Sequence, residues 1–268
     1  MKIVKNKIFQ LGLLAGFFVL CSFIRMQDKP TFYLIGDSTV KNGQDDGQKK
    51  GALGQWGWGH FIHEYFDTTR INIENDALGG TSSRTFRNRK GLWDKVIAKI
   101  KPGDYLIMQF GTNDNGSIND TIRARGAFKS NGEESEAITN LITKKDEVVH
   151  SYGWYIRQFV TEAKAKGATV IVCSIVPKNT WKDGKVNRVT DTWAKWASEA
   201  AAQSGAYYID LNKRICDQYE IEGEEKVRGT YYLTDGTHTI EAGAKVATKC
   251  VVDGLKSFKD LSLNKYLK

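Results

Sequence analysis

The stretch Phe32-Tyr33-Leu34-Ile35-Gly36-Asp37-Ser38-Thr39-Val40 carries four apolar, β-favouring residues straight into a glycine, an acid and a serine. Short apolar runs of the same kind recur at 71–73, 105–110, 169–176 and 206–209. Helix-like segments at 60–66, 92–100, 153–166, 190–204 and 240–256 separate most of them. Strands that are apolar throughout, rather than alternating, are buried on both faces. Their alternation with helices predicts an α/β protein of three layers, α/β/α, around a central parallel sheet of about five strands.

Two of the helices have readable ends. Asp191, after Thr190, is placed to cap the segment whose Trp193, Trp196, Ala197 and Ala200 share one face, and Gly205 stops it. Gly167 likewise ends the helix containing Ile156, Phe159, Val160 and Ala163. Between Asn113 and His150 lies a polar segment too long for a simple connection, and long surface loops are usually functional or mobile. His150 is expected to begin the helix that follows.

Catalytic groups of open parallel sheets gather at the carboxyl ends of the strands. Here the first strand ends in Gly36-Asp37-Ser38, the second runs towards Leu78-Gly79-Gly80-Thr81-Ser82-Ser83-Arg84, and the third ends in Gly111-Thr112-Asn113-Asp114. Near the far end stands Thr234-Asp235-Gly236-Thr237-His238-Thr239. Any one of these is an ordinary turn sequence. Together they supply the parts of a serine ester hydrolase: a nucleophile, a base, a group that orients the base, and donors for an oxyanion.

Ser38 directly follows a strand, where its hydroxyl projects above the sheet edge. His238 is the natural base, because an imidazole with an ordinary pKa of about 6.5 accepts a proton near neutrality. Asp235 precedes it by three residues, a spacing that brings both side chains to one face of a tight turn. Gly80 offers an unobstructed backbone N–H and Asn113 a fixed side-chain amide. With the Ser38 N–H they make a three-donor oxyanion hole.

The blocks Gly36-Asp37-Ser38, Gly80, Gly111-Thr112-Asn113-Asp114 and Asp235-Gly236-Thr237-His238 resemble, in order and spacing, the four signature blocks of the SGNH subgroup of GDSL hydrolases. Residues 36–40, 75–84 and 237–239 are similar to rhamnogalacturonan acetylesterases, as is 174–181. The similarity spans nearly all of residues 27–268. It implies a flavodoxin-like α/β/α fold, release of acetate from acetylated pectin backbone without a cofactor, a triad of Ser38, Asp235 and His238, and an oxyanion hole of Ser38, Gly80 and Asn113. Residues 115–147 match poorly and are a place where substrate preference can differ. The same triad also serves lipid, thioester, xylan and sialate esters, and a non-catalytic carbohydrate-binding module is a further alternative.

The remaining residues bound the partners. Arg84, with Arg87, Arg89 and Lys90 behind it, is the candidate substrate contact for the carboxylates of a galacturonate polymer; a solvated basic loop accounts for the same cluster. Trp56, Trp58 and Trp181 are candidates for stacking on sugar rings or for burial. His60 and His63 lack the Asp, Glu or Cys companions of a metal site.

Residues 1–26 read as an export signal: Lys2, Lys5 and Lys7 precede an apolar run from 8 to 23, shorter than the roughly 20 residues of a spanning helix. The expected mature chain is a single domain, 27–268, in the periplasm or outside the cell. Cys21 is an alternative lipid-attachment point, which would bring the protein to a membrane. Removing this segment lowers the formal charge from +8 to +4, since it contains Lys2, Lys5, Lys7 and Arg25 and no acid. The basic total is therefore no argument for nucleic-acid binding. Cys173 lies in an apolar run and reads as a buried small residue, leaving Cys216 and Cys250 as a possible disulfide in an exported protein.

Overall fold

A computed structural model describes residues 29–42 and 49–268. Residues 1–26, expected to be an export signal, lie outside the described residues, as does Cys21. Strands β1 (Thr31–Gly36), β2 (Asn72–Asn75), β3 (Tyr105–Gln109), β6 (Thr169–Cys173) and β9 (Tyr207–Ile209) form one sheet in the order β2-β1-β3-β6-β9. All four pairings are parallel, with Phe32 opposite Ile73 on one side and Tyr105 on the other. The expected five-strand α/β/α arrangement is present.

Burial follows the period of two along the strands. Phe32, Leu34, Ile107 and Ile171 enter one hydrophobic cluster with residues of α5 (Leu211–Glu222) and α7 (Glu241–Lys256). Tyr33, Ile35, Leu106, Met108, Val170 and Val172 enter a second, with α1 (Ser83–Asn88), α2 (Trp93–Lys99), α3 (Tyr152–Ala165) and α4 (Trp193–Ser204). Alternate side chains of one strand thus feed opposite cores, which is why these strands are apolar throughout. Because β1 lies between β2 and β3, the chain reverses its direction of winding there, and the crevice at the carboxyl ends of β1 and β3 is the place where such sheets bind ligands.

Several local expectations need correction. Asp191 is not the cap of α4: the helix starts at Trp193, and Thr192 occupies the cap position without a side-chain hydrogen bond. Its other end is as read, with Gly205 in the left-handed conformation at φ +69°. The 60–66 segment is a 3-10 helix, Trp58–Tyr65. His150 closes a strand instead of opening a helix; Ser151 caps α3 by accepting the Trp154 N–H at 3.0 Å, and the His150 ring stacks on Trp154 at 3.7 Å. Helices α1, α5 and α6 (Glu224–Thr230) were not among the expected helices. The polar segment carries an antiparallel hairpin of β4 (Ser135–Thr139) and β5 (Asp146–His150). Strands β7 (Trp181–Lys182) and β8 (Lys185–Val186) form a second small hairpin. Cys216 and Cys250 are both free, buried thiols, as is Cys173.

Candidate active site

Gly36 ends β1, and Asp37 to Lys41 form one helical turn in which the Val40 and Lys41 N–H groups donate to Asp37 O at 3.2 and 3.1 Å. The Asp37 carboxylate accepts from Thr39 N at 2.8 Å and Thr39 Oγ1 at 2.7 Å, fixing the turn on which Ser38 sits. Only 8% of Ser38 is exposed, and its Oγ lies 2.8 Å from His238 Nε2. The other ring nitrogen, Nδ1, lies 2.5 Å from Asp235 Oδ2. A carboxylate only accepts, so Nδ1 carries the proton and Nε2 is left as the acceptor for the Ser38 hydroxyl.

The spacing of three between Asp235 and His238 works through a turn. Asp235 Oδ1 accepts the Thr237 and His238 N–H groups at 2.8 and 2.9 Å, while Gly236 takes φ +62°. Burial raises the Asp235 carboxyl, but the His238 ring and these two N–H groups outweigh it and hold it below its ordinary value. The turn is stitched to Trp56, whose N–H donates to Thr239 O at 2.9 Å and whose carbonyl accepts from Thr239 Oγ1 at 2.8 Å.

The Gly80 block folds beside the serine: a Cβ added to Gly79 would stand 3.6 Å from Ser38 Cβ, and Gly80 has φ +80°. Asn113, 6% exposed, donates from Nδ2 to Thr81 O at 2.7 Å. That bond uses one of the two amide protons and orients the other. Ser38, Gly80 and Asn113 are therefore brought to one end of the sheet, as are Asp235 and His238.

Two buried acids underlie the site. Asp114 accepts from Ser83 N and Gly111 N at 3.0 Å each and from the Ser83 hydroxyl. Burial pushes its carboxyl up to about 7, and it raises Asp37 as well. Asp114 thus joins the end of β3 to the start of α1. Asp114 directly follows Asn113 in the third block, but only its contacts with Ser83 and Gly111 disclose this role.

The profile of the GDSL-like lipase/acylhydrolase family matches residues 34–246. The chain belongs to this family. As a member it is an acylhydrolase with an open parallel sheet. It is 29% identical over 216 residues to the rhamnogalacturonan acetylesterase of Emericella nidulans, an alignment covering 81% of this chain and 80% of that protein. The crystal structure of YxiM from Bacillus subtilis superposes with a TM-score of 0.67 at 26% identity, covering 85% of this chain. The chain spans only 56% of that structure. Axe2, an acetylxylan esterase from Geobacillus stearothermophilus, shares the fold with a TM-score of 0.52 at 16% identity, over 84% of this chain and 93% of that one.

Not every candidate reaches this end of the sheet. Arg84 is fully buried and is no substrate contact: it lies on α1, whose rotation turns it inward, and its guanidinium meets the Glu147 carboxylate and the carbonyls of Ile118 and Gly126. Arg87 likewise pairs with Glu162, against Trp154 and Phe159. Trp58 is buried, with Nε1 donating to Gln109 Oε1 at 3.1 Å. Trp181 is packed against the core, and Trp56 leans on His60 and Phe61. His60 and His63 meet edge-on, and among the described residues no three His, Cys, Asp or Glu side chains converge as metal ligands would.

A groove of 1160 Å³ runs from Gly79 and Gly80 along the β4–β5 hairpin. Its walls include Arg89 and Lys90 from the anticipated basic cluster, and Arg123, Arg125 and Lys145 from the poorly matched segment.

Proposed function

We propose that the protein is an exported carbohydrate O-acetylesterase acting on acetylated rhamnogalacturonan, with residues 1–26 as its export signal. The observation that carries the chemistry is the hydrogen-bonded chain from Ser38 Oγ through His238 to Asp235, with distances of 2.8 and 2.5 Å. Ser38 Oγ attacks the acetyl carbonyl while His238 Nε2 takes its proton. The same imidazolium then returns that proton to the departing sugar oxygen, leaving acetyl-Ser38. Water, deprotonated by His238, releases acetate. Asp235 holds the ring and stabilises its charged form, and the Ser38 N–H, Gly80 N–H and Asn113 amide receive the oxyanion. The polysaccharide assignment is supported by similarity to the Emericella enzyme and by the basic groove reaching Gly80, suited to a galacturonate-containing chain.

Acetate release from acetylated rhamnogalacturonan, xylan and sialic acid tests the reading, with Ser38→Ala as control. The rhamnogalacturonan substrate is expected to have the highest kcat/KM and Ser38→Ala to lose turnover. Wild-type rates from Ser38→Ala would remove the nucleophile assignment, and preference for another ester would remove the polysaccharide assignment.

A further inference from the structure

Arg125 enters the groove from the segment that sequence similarity covers least. Its Nη1 donates to Gly80 O at 2.8 Å, so the guanidinium lies against the peptide that follows the proposed oxyanion donor. The arginine stem is seated beside Gly116, where an added Cβ would lie 3.7 Å from Arg125 Cγ.

The loop that presents this side chain is tightly built. Asp120 Oδ1 accepts three consecutive N–H groups, from Ile122, Arg123 and Ala124, at 2.8, 2.6 and 3.0 Å. Ala124, buried, is held at φ +41°, a left-handed conformation unfavourable for any residue with a Cβ. Gly126 N then donates to Ser117 O at 2.8 Å, and a Cβ at Gly126 would collide with Gly116 O at 2.0 Å. Strain held in place by such bracing is found where a side chain must be aimed.

Arg125 also lacks an ion-pair partner among the described residues, although Asp37, Asp114 and Asp120 attract it from farther away. Arg84, Arg87, Arg157, Arg188 and Arg228 each have a carboxylate partner. Among the described residues none is within ion-pair distance of Arg125, or of Arg123, Arg89, Lys90 and Lys145 around the same groove. Of the two acids lining it, Glu147 is neutralised by Arg84 and Asp146 accepts from Thr139 Oγ1 at 2.6 Å.

We propose that Arg125 is a specificity-determining residue that binds a carboxylate on the acetylated glycan beside the scissile ester. The proposal rests on the carbohydrate-acetylesterase reading above and adds to it the group that selects an acidic chain. One guanidinium N–H stays on Gly80 O, and the remaining donors form the planar fork that a carboxylate accepts. Arg123 and the outer cations add attraction at longer range.

The test compares an acetylated rhamnogalacturonan oligomer with the same oligomer after its galacturonate carboxylates are methyl-esterified, so that acetyl groups and backbone are unchanged. Wild-type kcat/KM is expected to be about tenfold higher on the acidic form, the size of one hydrogen bond to a charged group, and the ratio to shrink in high salt. Arg125→Gln should bring the ratio close to one and Arg125→Lys should restore part of it. A wild-type ratio of one, or an equal ratio in wild type and Arg125→Gln, would overturn the proposal and leave Arg125 as a prop for Gly80. A wild-type ratio of one overturns it even if the variants fold poorly. If 4-nitrophenyl acetate is cleaved but neither oligomer releases acetate, the rhamnogalacturonan reading fails and takes this one with it. Equal release from both oligomers keeps that reading and removes only carboxylate recognition.

Discussion

Arg84 and Glu147 form an ion pair that ties the helix after Gly80 to the β4–β5 hairpin forming one side of the groove. The guanidinium is fully buried and its fork is filled by Glu147 Oε1 and Oε2, with Ile118 O and Gly126 O taking the remaining Nη1 protons at 2.6 and 2.9 Å. Burial raises the Glu147 carboxyl, but Arg84 and Asn140 outweigh it and lower it overall.

Glu147→Gln should therefore cost about 3 kcal/mol of folding stability, because it strands a buried cation. Urea denaturation measures this. A lowered carboxyl contributes stability that is present above the ordinary carboxylate pKa and lost as pH falls through the lowered one, so the wild type's advantage over Glu147→Gln should shrink in acid. An advantage unchanged below pH 4 would contradict the pairing.

Asp235→Asn should keep the fold and lower kcat by about 10⁴-fold, since an amide does not hold Nδ1–H in the required tautomer. Ser38→Ala should lower it at least as far. Pre-steady-state assays with excess 4-nitrophenyl acetate check the nucleophile: a burst from acetyl-enzyme formation is expected from the wild type and none from Ser38→Ala.

Asn113→Ala should reduce kcat by about 10² to 10³-fold with a smaller change in KM, because the lost donor acts on charge that develops only in the transition state. A change confined to KM would assign Asn113 to substrate binding instead. Its bond to Thr81 O predicts some loss of thermal stability as well.

Asp114 gives the opposite pH sign from Glu147. Its carboxyl is raised to about 7, so the folded protein keeps a proton that the unfolded chain has already released. The associated stability is present below the ordinary carboxylate pKa of about 4 and is lost as pH rises to about 7. Asp114→Asn does not titrate, so wild-type stability relative to this variant should fall across that interval. Urea melts at pH 5 and pH 8 measure the difference, and equal differences at both would count against a raised carboxyl.

Much of the site was readable because its residues act through their immediate neighbours. Asp235 and His238 share one turn, and the backbone N–H groups that organise the pair belong to Thr237 and His238. Asn113 and Gly80 stood out as candidate donors by residue type and by their position after strands. Arg84 was misread for a different reason. Proximity to Gly80 in the chain gives no information on which side of α1 a residue takes, and the six-residue helix turns Arg84 inward while Arg89 and Lys90 reach the groove. Arg125 was overlooked because it stands 45 residues from Gly80 and meets it only after the 113–127 loop has closed back on itself.

The sequence by itself determined the five-strand α/β layering and offered Ser38, Asp235 and His238 as candidates for a triad. Strand burial depends on apolar runs of a fixed period, and a nucleophile, base and acid are recognisable as residue types at strand ends. Tertiary structure alone decided which cations are free and which are spent. Arg84 and Arg125 are the same side chain near the same glycine, but one meets a carboxylate from a distant hairpin and is buried with it, while the other is presented by the loop that Asp120 braces and, among the described residues, has no carboxylate within ion-pair distance. Charge availability is a property of the partners that folding delivers, and those partners lie tens of residues away along the chain.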